Sequence, residues 1–440
     1  MLEKLKMNSR NIYAINSFWM ISDRVANLVS AFVWSVILAR SLNISDFGTY
    51  NSVTSSVAIF LPIAAIGLNG LLSKLLLDKK ESLKNILLTG IILKVFAGII
   101  CCILVNLWFY YSSALTFTKA NLFYSVILIV HCIQVYESFN QSFCSSQLVS
   151  LCRFISVTIF LIAKITLWFS DMLTLDVALY TQALEFFVYF SCLFFVSRSK
   201  YSKVINENEN ENEKYSLVKF KKLSQIMLSG GGLLVISGVA ETINLKIDVL
   251  MLTELSNLKS VSIYSVATKF SESGYFFAAA IATSYFPKMM SAKSENKDKY
   301  YGVITNLAKK LLLMCFVVFV FTAILGYPAI YYLYGIDYID SYYVLIIHLC
   351  ASFFVYFRAV FSKWIIAEQV FKYSILTHLC GGLVNVVLNM YLIPNHSYYG
   401  AAIATIISYS FSSYFSLLFF KDTRFYLKNL KFHFIGRLEK

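Results

Sequence analysis

The chain carries 440 residues, of which 58% are apolar and 14% charged, with a formal net charge of +14. A soluble domain holds about a quarter charged residues and less than half apolar ones, so this composition excludes a soluble globular enzyme. The basic excess lies in short segments between apolar runs, which argues against a nucleic-acid surface and makes the charge a topological signal.

The basic start, Lys4, Lys6 and Arg10, leads into an apolar run from Ile12 to Ala39. That run exceeds a signal-peptide core and lacks a cleavage pattern, so it reads as a retained first span. At roughly 20 residues per span, the expectation is an all-α integral membrane protein of twelve helices. They fall near 13–38, 49–73, 85–110, 121–143, 151–170, 176–197, 224–252, 261–287, 306–327, 342–365, 373–393 and 400–420. No Asp, Glu, Lys or Arg occurs from Tyr373 to Phe420; the turn at Pro394–Asn395–His396–Ser397 divides this stretch into two spans.

One alternate set of loops is basic: Lys74, Lys79, Lys80, Lys84, Arg153, Arg198, Lys200, Lys288, Lys293, Lys297 and the tail from Lys421. The opposite set holds only Arg40, Lys119 and Lys259, so both termini are expected in the cytoplasm and the span count is even. The outer loops carry Asp171, Asp176, Asp337, Asp340 and the tyrosines of 327–343, an interfacial belt or a sugar-stacking surface.

These spans group into a six-helix bundle at 1–197, a polar cytoplasmic linker at 198–222 containing NENENENEK, a second six-helix bundle at 223–421, and a basic tail at 422–440. The halves echo one another: LARSLNISDFGTYNSV (38–53) and LMLTELSNLKSVSIYSVA (250–267) each run apolar helix, polar turn, then Tyr50 or Tyr264. Paired from Leu42 and Leu255, the two spacings to tyrosine differ by one residue. Halves of six spans share an orientation, as in transporters that rock about a central site. The nine cysteines form no CxxC or Cys/His cluster, which points to core packing rather than a metal or disulfide framework. No nucleotide loop, nucleophile elbow or HExxH occurs, so the chain reads as a non-enzyme.

Four segments carry a resemblance: LARSLNISDFGTY (38–50), KIDVLML (246–252) with IYSVATKFSE (263–272), LYGIDYIDS (333–341), and VNVVLNMYLIPNHSYYGAAIATIISY (384–409) with Asn385, Asn389 and Pro394. In this order they resemble the polysaccharide-transporter branch, with the Wzx-type O-antigen flippases, of the multidrug/oligosaccharidyl-lipid/polysaccharide exporter superfamily. Lys246 stands where that family often has arginine. The resemblance implies a flippase moving an undecaprenyl-diphosphate-linked oligosaccharide, for O-antigen, capsule or a similar glycan, across the bacterial cytoplasmic membrane by alternating access. It implies membrane lipids, a glycan polymerase and assembly proteins as partners, no nucleic acid and no resident cofactor. A related multidrug or cation antiporter is the alternative.

An ionised side chain inside a membrane normally faces a cavity or a partner. A diphosphate crossing oil needs fixed cations, and the candidates are Arg24, Lys246, Lys269 and Arg358. Arg24 leads, because the resemblance implies cavity arginines in the first helix; an interhelical ion pair is its other reading. Asp23, Glu185, Glu241, Asp248 and Glu272 are candidate cavity acids or carriers of a coupling proton or sodium ion. Lys94 and Lys164 read as cavity cations or as partners of Glu137 or Glu185, and Lys269 with Glu272 as an intrahelical pair. His131, His348 and His378 read as interhelical hydrogen-bonding groups. The SGGG (229–232) and CGG (380–382) runs read as close-packing sites, and Pro62 and Pro287 as matched kinks.

Overall fold

The computed structural model describes residues 9–78, 81–208 and 216–435, without the side chains of 9–14, 199, 201–208, 233–234 and 431–435. Lys4, Lys6, Lys79, Lys80, most of the NENENENEK run and residues 436–440 lie outside the described residues. Every described element is helical, and the chain divides into two compact units, Met1–Val239 and Ala240–Lys440.

The first unit opens with α1 (Ser9–Ser41) and α2 (Ile44–Ala65). Asn43 caps α2, its Oδ1 accepting from the Asp46 N–H at 2.8 Å, so the chain turns on two residues. α2 ends three residues after Pro62, where Ile66 (φ 51°) and Gly67 (φ 60°) take left-handed conformations, and α3 (Leu68–Asp78) follows. The second span is therefore two helices. Leu68, Leu72 and Leu76 recur every fourth residue and pack against Ile86 and Leu87 of α4 (Leu83–Tyr111).

The segment expected as one span at 121–143 is broken into α5 (Lys119–Ser125), α6 (Ile127–Val130), a 3₁₀ turn (His131–Gln134) and α7 (Val135–Ser142). The break accompanies a close approach: a Cβ at Gly98 of α4 would lie 2.5 Å from the Leu128 carbonyl oxygen. Then come α8 (Ser146–Phe169), packed along α1, and α9 (Leu175–Asn208).

The described parts of the expected linker at 198–222, outside 209–215, are helical apart from Ser216. α9 continues to Asn208, and α10 (Leu217–Leu255) begins at Leu217. Lys, Glu and Gln favour helix, and the first turns of α10 have a partner to cover, since Leu223 and Met227 pack with Leu72 and Phe139. Gly231 seats α10 on the α2–α3 turn, for a Cβ there would lie 2.6 Å from the Ile66 carbonyl oxygen. The SGGG run is thus a packing site. α10 is bent between Leu217–Gly232 and Val235–Leu255, and the boundary between units, at Val239, lies within it.

The second unit repeats the opening of the first. Asn257 caps α11 (Leu258–Ser273), accepting from Ser260 N–H at 2.8 Å. Gly274 then separates α11 from α12 (Tyr275–Glu295), so this span too is two helices, and α12 continues through Pro287 without a break. α13 (Lys297–Leu333), a 3₁₀ turn (Ile336–Tyr338) and α14 (Asp340–Glu368) lead to α15 (Lys372–Ser413). Inside α15 Ser397 has φ 48° and ψ −128°, which divides it at the expected turn. Gly400 makes that fold-back possible, because a Cβ would meet the Leu392 carbonyl oxygen at 2.4 Å. Gly381 likewise admits Ser412, whose Cβ would lie 2.5 Å away.

The tail is not merely a charged extension. α16 (Lys421–Ile435) buries Thr423, Tyr426 and Leu430, with Tyr426 packed on Phe361 and Trp364. Among the described residues nine helical segments are long and apolar enough to cross a membrane, or ten with the bent α10. The segment covering Leu258–Glu295 is not among them, and Lys372–Leu418 counts once despite its break at Ser397. The chain is a multi-pass membrane protein.

Candidate functional site

In the first unit five of the embedded charges are paired in ways their spacing does not reveal, while Lys94 and Arg24 are in no ion pair among the described residues. Asp23 does not stand alone beside Arg24; its Oδ1 accepts from Arg153 Nε at 3.3 Å. Arg153 also lies 3.6 Å from Glu137 and stacks 3.5 Å over the Tyr189 ring. The sequence places Arg153 in a basic loop, but α8 begins at Ser146 and carries it into the bundle. Lys94 makes no ion pair among the described residues. Its ammonium donates to Asn69 Oδ1 at 2.8 Å and Gln134 Oε1 at 3.2 Å, so neither Glu137 nor Glu185 is its partner.

Lys164 and Glu185 form a buried ion pair, extended by Gln182 Oε1 3.3 Å from the ammonium. The ammonium lies 4.8 Å from the centre of the Trp34 ring, and Trp34 Nε1 donates to the Tyr50 hydroxyl at 3.0 Å. Glu185 is thus internally neutralised. Arg24 is exposed and makes no hydrogen bond or ion pair among the described residues.

The second unit holds the counterpart. Asp248 is 2% exposed, and its carboxylate accepts three neutral donors: Tyr264 Oη at 2.6 Å, Thr405 Oγ1 at 2.7 Å and Asn389 Nδ2 at 2.6 Å. Asn389 also donates to Asn385 Oδ1 at 3.0 Å, while its own Oδ1 is buried without a partner among the described residues. The ligands come from α10, α11 and both arms of α15. No lysine or arginine forms an ion pair with Asp248 among the described residues, which is costly for a charge at 2% exposure.

The two clusters occupy matched positions. Trp34 and Tyr50 are sixteen residues apart, as are Asp248 and Tyr264, and the caps Asn43 and Asn257 keep the same offset. The repeat therefore aligns Leu42 with Ser256 rather than Leu255, and the one-residue discrepancy disappears. Gln182 stands 3.5 Å from Tyr50 as Thr405 stands 3.1 Å from Tyr264. One half fills this place with an aromatic and an ion pair, the other with a lone carboxylate.

The remaining candidates divide. Lys246 pairs with Glu272 at 3.3 Å across α10 and α11, so Glu272 is engaged between helices, beyond the expected link to Lys269 on its own helix. Arg358 donates to Thr377 Oγ1 at 3.0 Å and the Ser412 carbonyl at 2.8 Å, tying α14 to both arms of α15. Glu241 is exposed and makes no hydrogen bond or ion pair among the described residues, though its charge acts on Arg358. His348 fulfils the interhelical expectation, its Nδ1 2.9 Å from Ser271 Oγ. Sequence reasoning missed Arg153, Thr405 and Tyr264 as site residues, and took Asn385 and Asn389 only as marks of resemblance. Two asparagines four apart in an uncharged run were the available signal for them.

Comparison with known proteins bears on both fold and family. An inward-facing multidrug resistance MATE family transporter of the MOP superfamily superposes with a TM-score of 0.68 at 14% identity, covering 93% of this chain and 95% of that one. The lipid II flippase MurJ, in an inward closed conformation, gives 0.67 at 15% identity over 97% and 91%. A MOP superfamily transporter from Pyrococcus furiosus gives 0.53 at 12% identity over 94% and 95%. At these identities the likeness establishes the fold. Among curated proteins no sequence matches. The sequence profile described as polysaccharide biosynthesis protein matches residues 14–293, most of the chain. The chain therefore belongs to the polysaccharide biosynthesis protein family.

Proposed function

We propose that this protein is a flippase, not an enzyme, which carries an undecaprenyl-diphosphate-linked oligosaccharide from the inner to the outer leaflet of a bacterial cytoplasmic membrane. The family match over residues 14–293 carries the reading, because that family is described by polysaccharide biosynthesis, whereas the fold is shared equally with a multidrug transporter. In this reading the chain spans the membrane twelve times, with the Leu258–Glu295 pair and each arm of α15 counted as spans and both termini in the cytoplasm. The cargo is a surface glycan unit such as O-antigen or capsule, handed on to polymerase and assembly proteins.

The chemistry follows from charge. A diphosphate entering a low-dielectric passage must exchange hydration for fixed donors, and arginine offers the best-matched ones. Arg24 is free to serve, whereas Arg358 is committed to α15 and Lys246 to Glu272. Lys269 remains a further candidate. Asp248 is the best-supported coupling group. It can take up a proton, which removes the buried charge, or a sodium ion, for which its carboxylate and the unpartnered Asn389 Oδ1 supply hard oxygen donors. Asp23 and Glu185 are neutralised by Arg153 and Lys164, which leaves them structural.

The test is a deletion strain. Undecaprenyl-linked repeat units building up on the inner leaflet would support the reading. Unchanged glycan output with altered sensitivity to cationic drugs would refute it and favour the antiporter.

A further inference from the structure

We propose that the second unit holds, at the start of α16, a binding site for the phosphate of an anionic membrane lipid. A cleft of about 920 Å³ lies between α16, the start of α13 and the ends of α12 and α14, away from the embedded charges described above. Its floor is aromatic, with Tyr300, Tyr301 and Trp364 all buried. Its rim is cationic, with Lys293, Lys297, Lys421, Arg424 and Lys428.

The two acids in the cleft are already engaged. Glu368 pairs with Lys293 at 3.0 Å, and Asp422 accepts from the Tyr373 hydroxyl at 2.7 Å. Lys421, Arg424 and Lys428 make no ion pair among the described residues. They stand at i, i+3 and i+7, one face of the helix. α13 and α16 both begin here, at Lys297 and Lys421; Asn296 caps α13 by accepting from the Lys299 N–H at 2.7 Å, and the N–H groups left over at the two helix starts add positive potential. An anion is the complementary guest.

Two features favour a lipid over a soluble phosphate. α16 follows directly on the last apolar helix, which puts the cleft beside the bilayer surface. Phe425 stands 47% exposed beside the cations, with the Lys297 ammonium 4.2 Å over its ring, giving an apolar anchor next to the charged rim. Basic residues just beyond a span attract anionic lipids of the cytoplasmic leaflet; the choice of that leaflet rests on the orientation proposed above.

The experiment uses the purified full chain, delipidated in detergent and titrated with phosphatidylglycerol, phosphatidylcholine, or inorganic phosphate and diphosphate, with bound molecules counted by native mass spectrometry. Phosphatidylglycerol should be retained about tenfold over phosphatidylcholine, and Arg424→Gln with Lys428→Gln should abolish that preference. Both side chains are exposed, so the melting temperature should not move; Lys297→Gln alone, on a different helix, should weaken retention in part. Equal retention by wild type and both variants would overturn the proposal. Binding of the inorganic anions as well as the lipid would overturn the lipid assignment. No step of transport is read, so a failed flippase reading would leave this result standing.

Discussion

Asp248 and Glu185 are both buried carboxylates, yet their surroundings predict opposite responses to substitution. Glu185 has a lysine partner, so Lys164→Ala should strand a buried charge and cost about 3–5 kcal/mol, whereas the double change to Met and Leu should be near neutral. Thermal melting of the purified variants separates the two. Asp248 has only neutral donors. Asp248→Asn should fold and insert but leave transport insensitive to an imposed proton or sodium gradient. Asp248→Ala should in addition lower stability by about 1–3 kcal/mol for each donor left unpaired. Retained gradient dependence in Asp248→Asn would remove Asp248 from the coupling role. At Arg24, alanine should reduce glycan output at least about tenfold with normal insertion, and lysine should rescue in part, since it keeps the charge but not the planar fork. The embedded charges themselves are legible in the sequence, because any ionised residue in a long apolar run stands out. Their partners are not, since Asp23 and Arg153 meet from 130 positions apart.

At the scale of elements, glycines decide where helices break and touch. Gly98→Ala should be strongly destabilising, because the added Cβ would lie 2.5 Å from the Leu128 carbonyl oxygen, a backbone atom that cannot rotate away. Gly70→Ala meets nothing within 4 Å inside α3 and should be neutral or stabilise by up to about 1 kcal/mol. Melting curves in one detergent give the comparison. Apolar runs located nearly every helix, and the turn at 394–397 was readable from its proline and polar residues. The break at Ile66 had a signal in the kink expected at Pro62, but those at Gly274 and 131–134 had none, because hydropathy registers a bent helix and a straight one alike. The helical extension of α9 and the packing of α16 were missed for a related reason: polar composition alone says nothing about whether a chain finds a surface to cover.

For the whole molecule, the internal repeat was visible in sequence, but the register became plain only through the hydrogen bonds that join Trp34 to Tyr50 and Tyr264 to Asp248. Topology is a separate claim. Tags at the C-terminus and within 335–339 should report opposite sides of the membrane, cytoplasmic and external; the same side for both would break the orientation argument. The fold itself serves drug exporters and a lipid flippase with nearly equal likeness, so only cargo distinguishes them. The most direct measurement is made on the purified chain in liposomes holding a labelled undecaprenyl-diphosphate oligosaccharide, with the fraction reaching the opposite leaflet read by an impermeant glycosidase. Rapid translocation by the wild type and little by Arg24→Ala is the predicted result; a wild-type rate no faster than protein-free liposomes would contradict it.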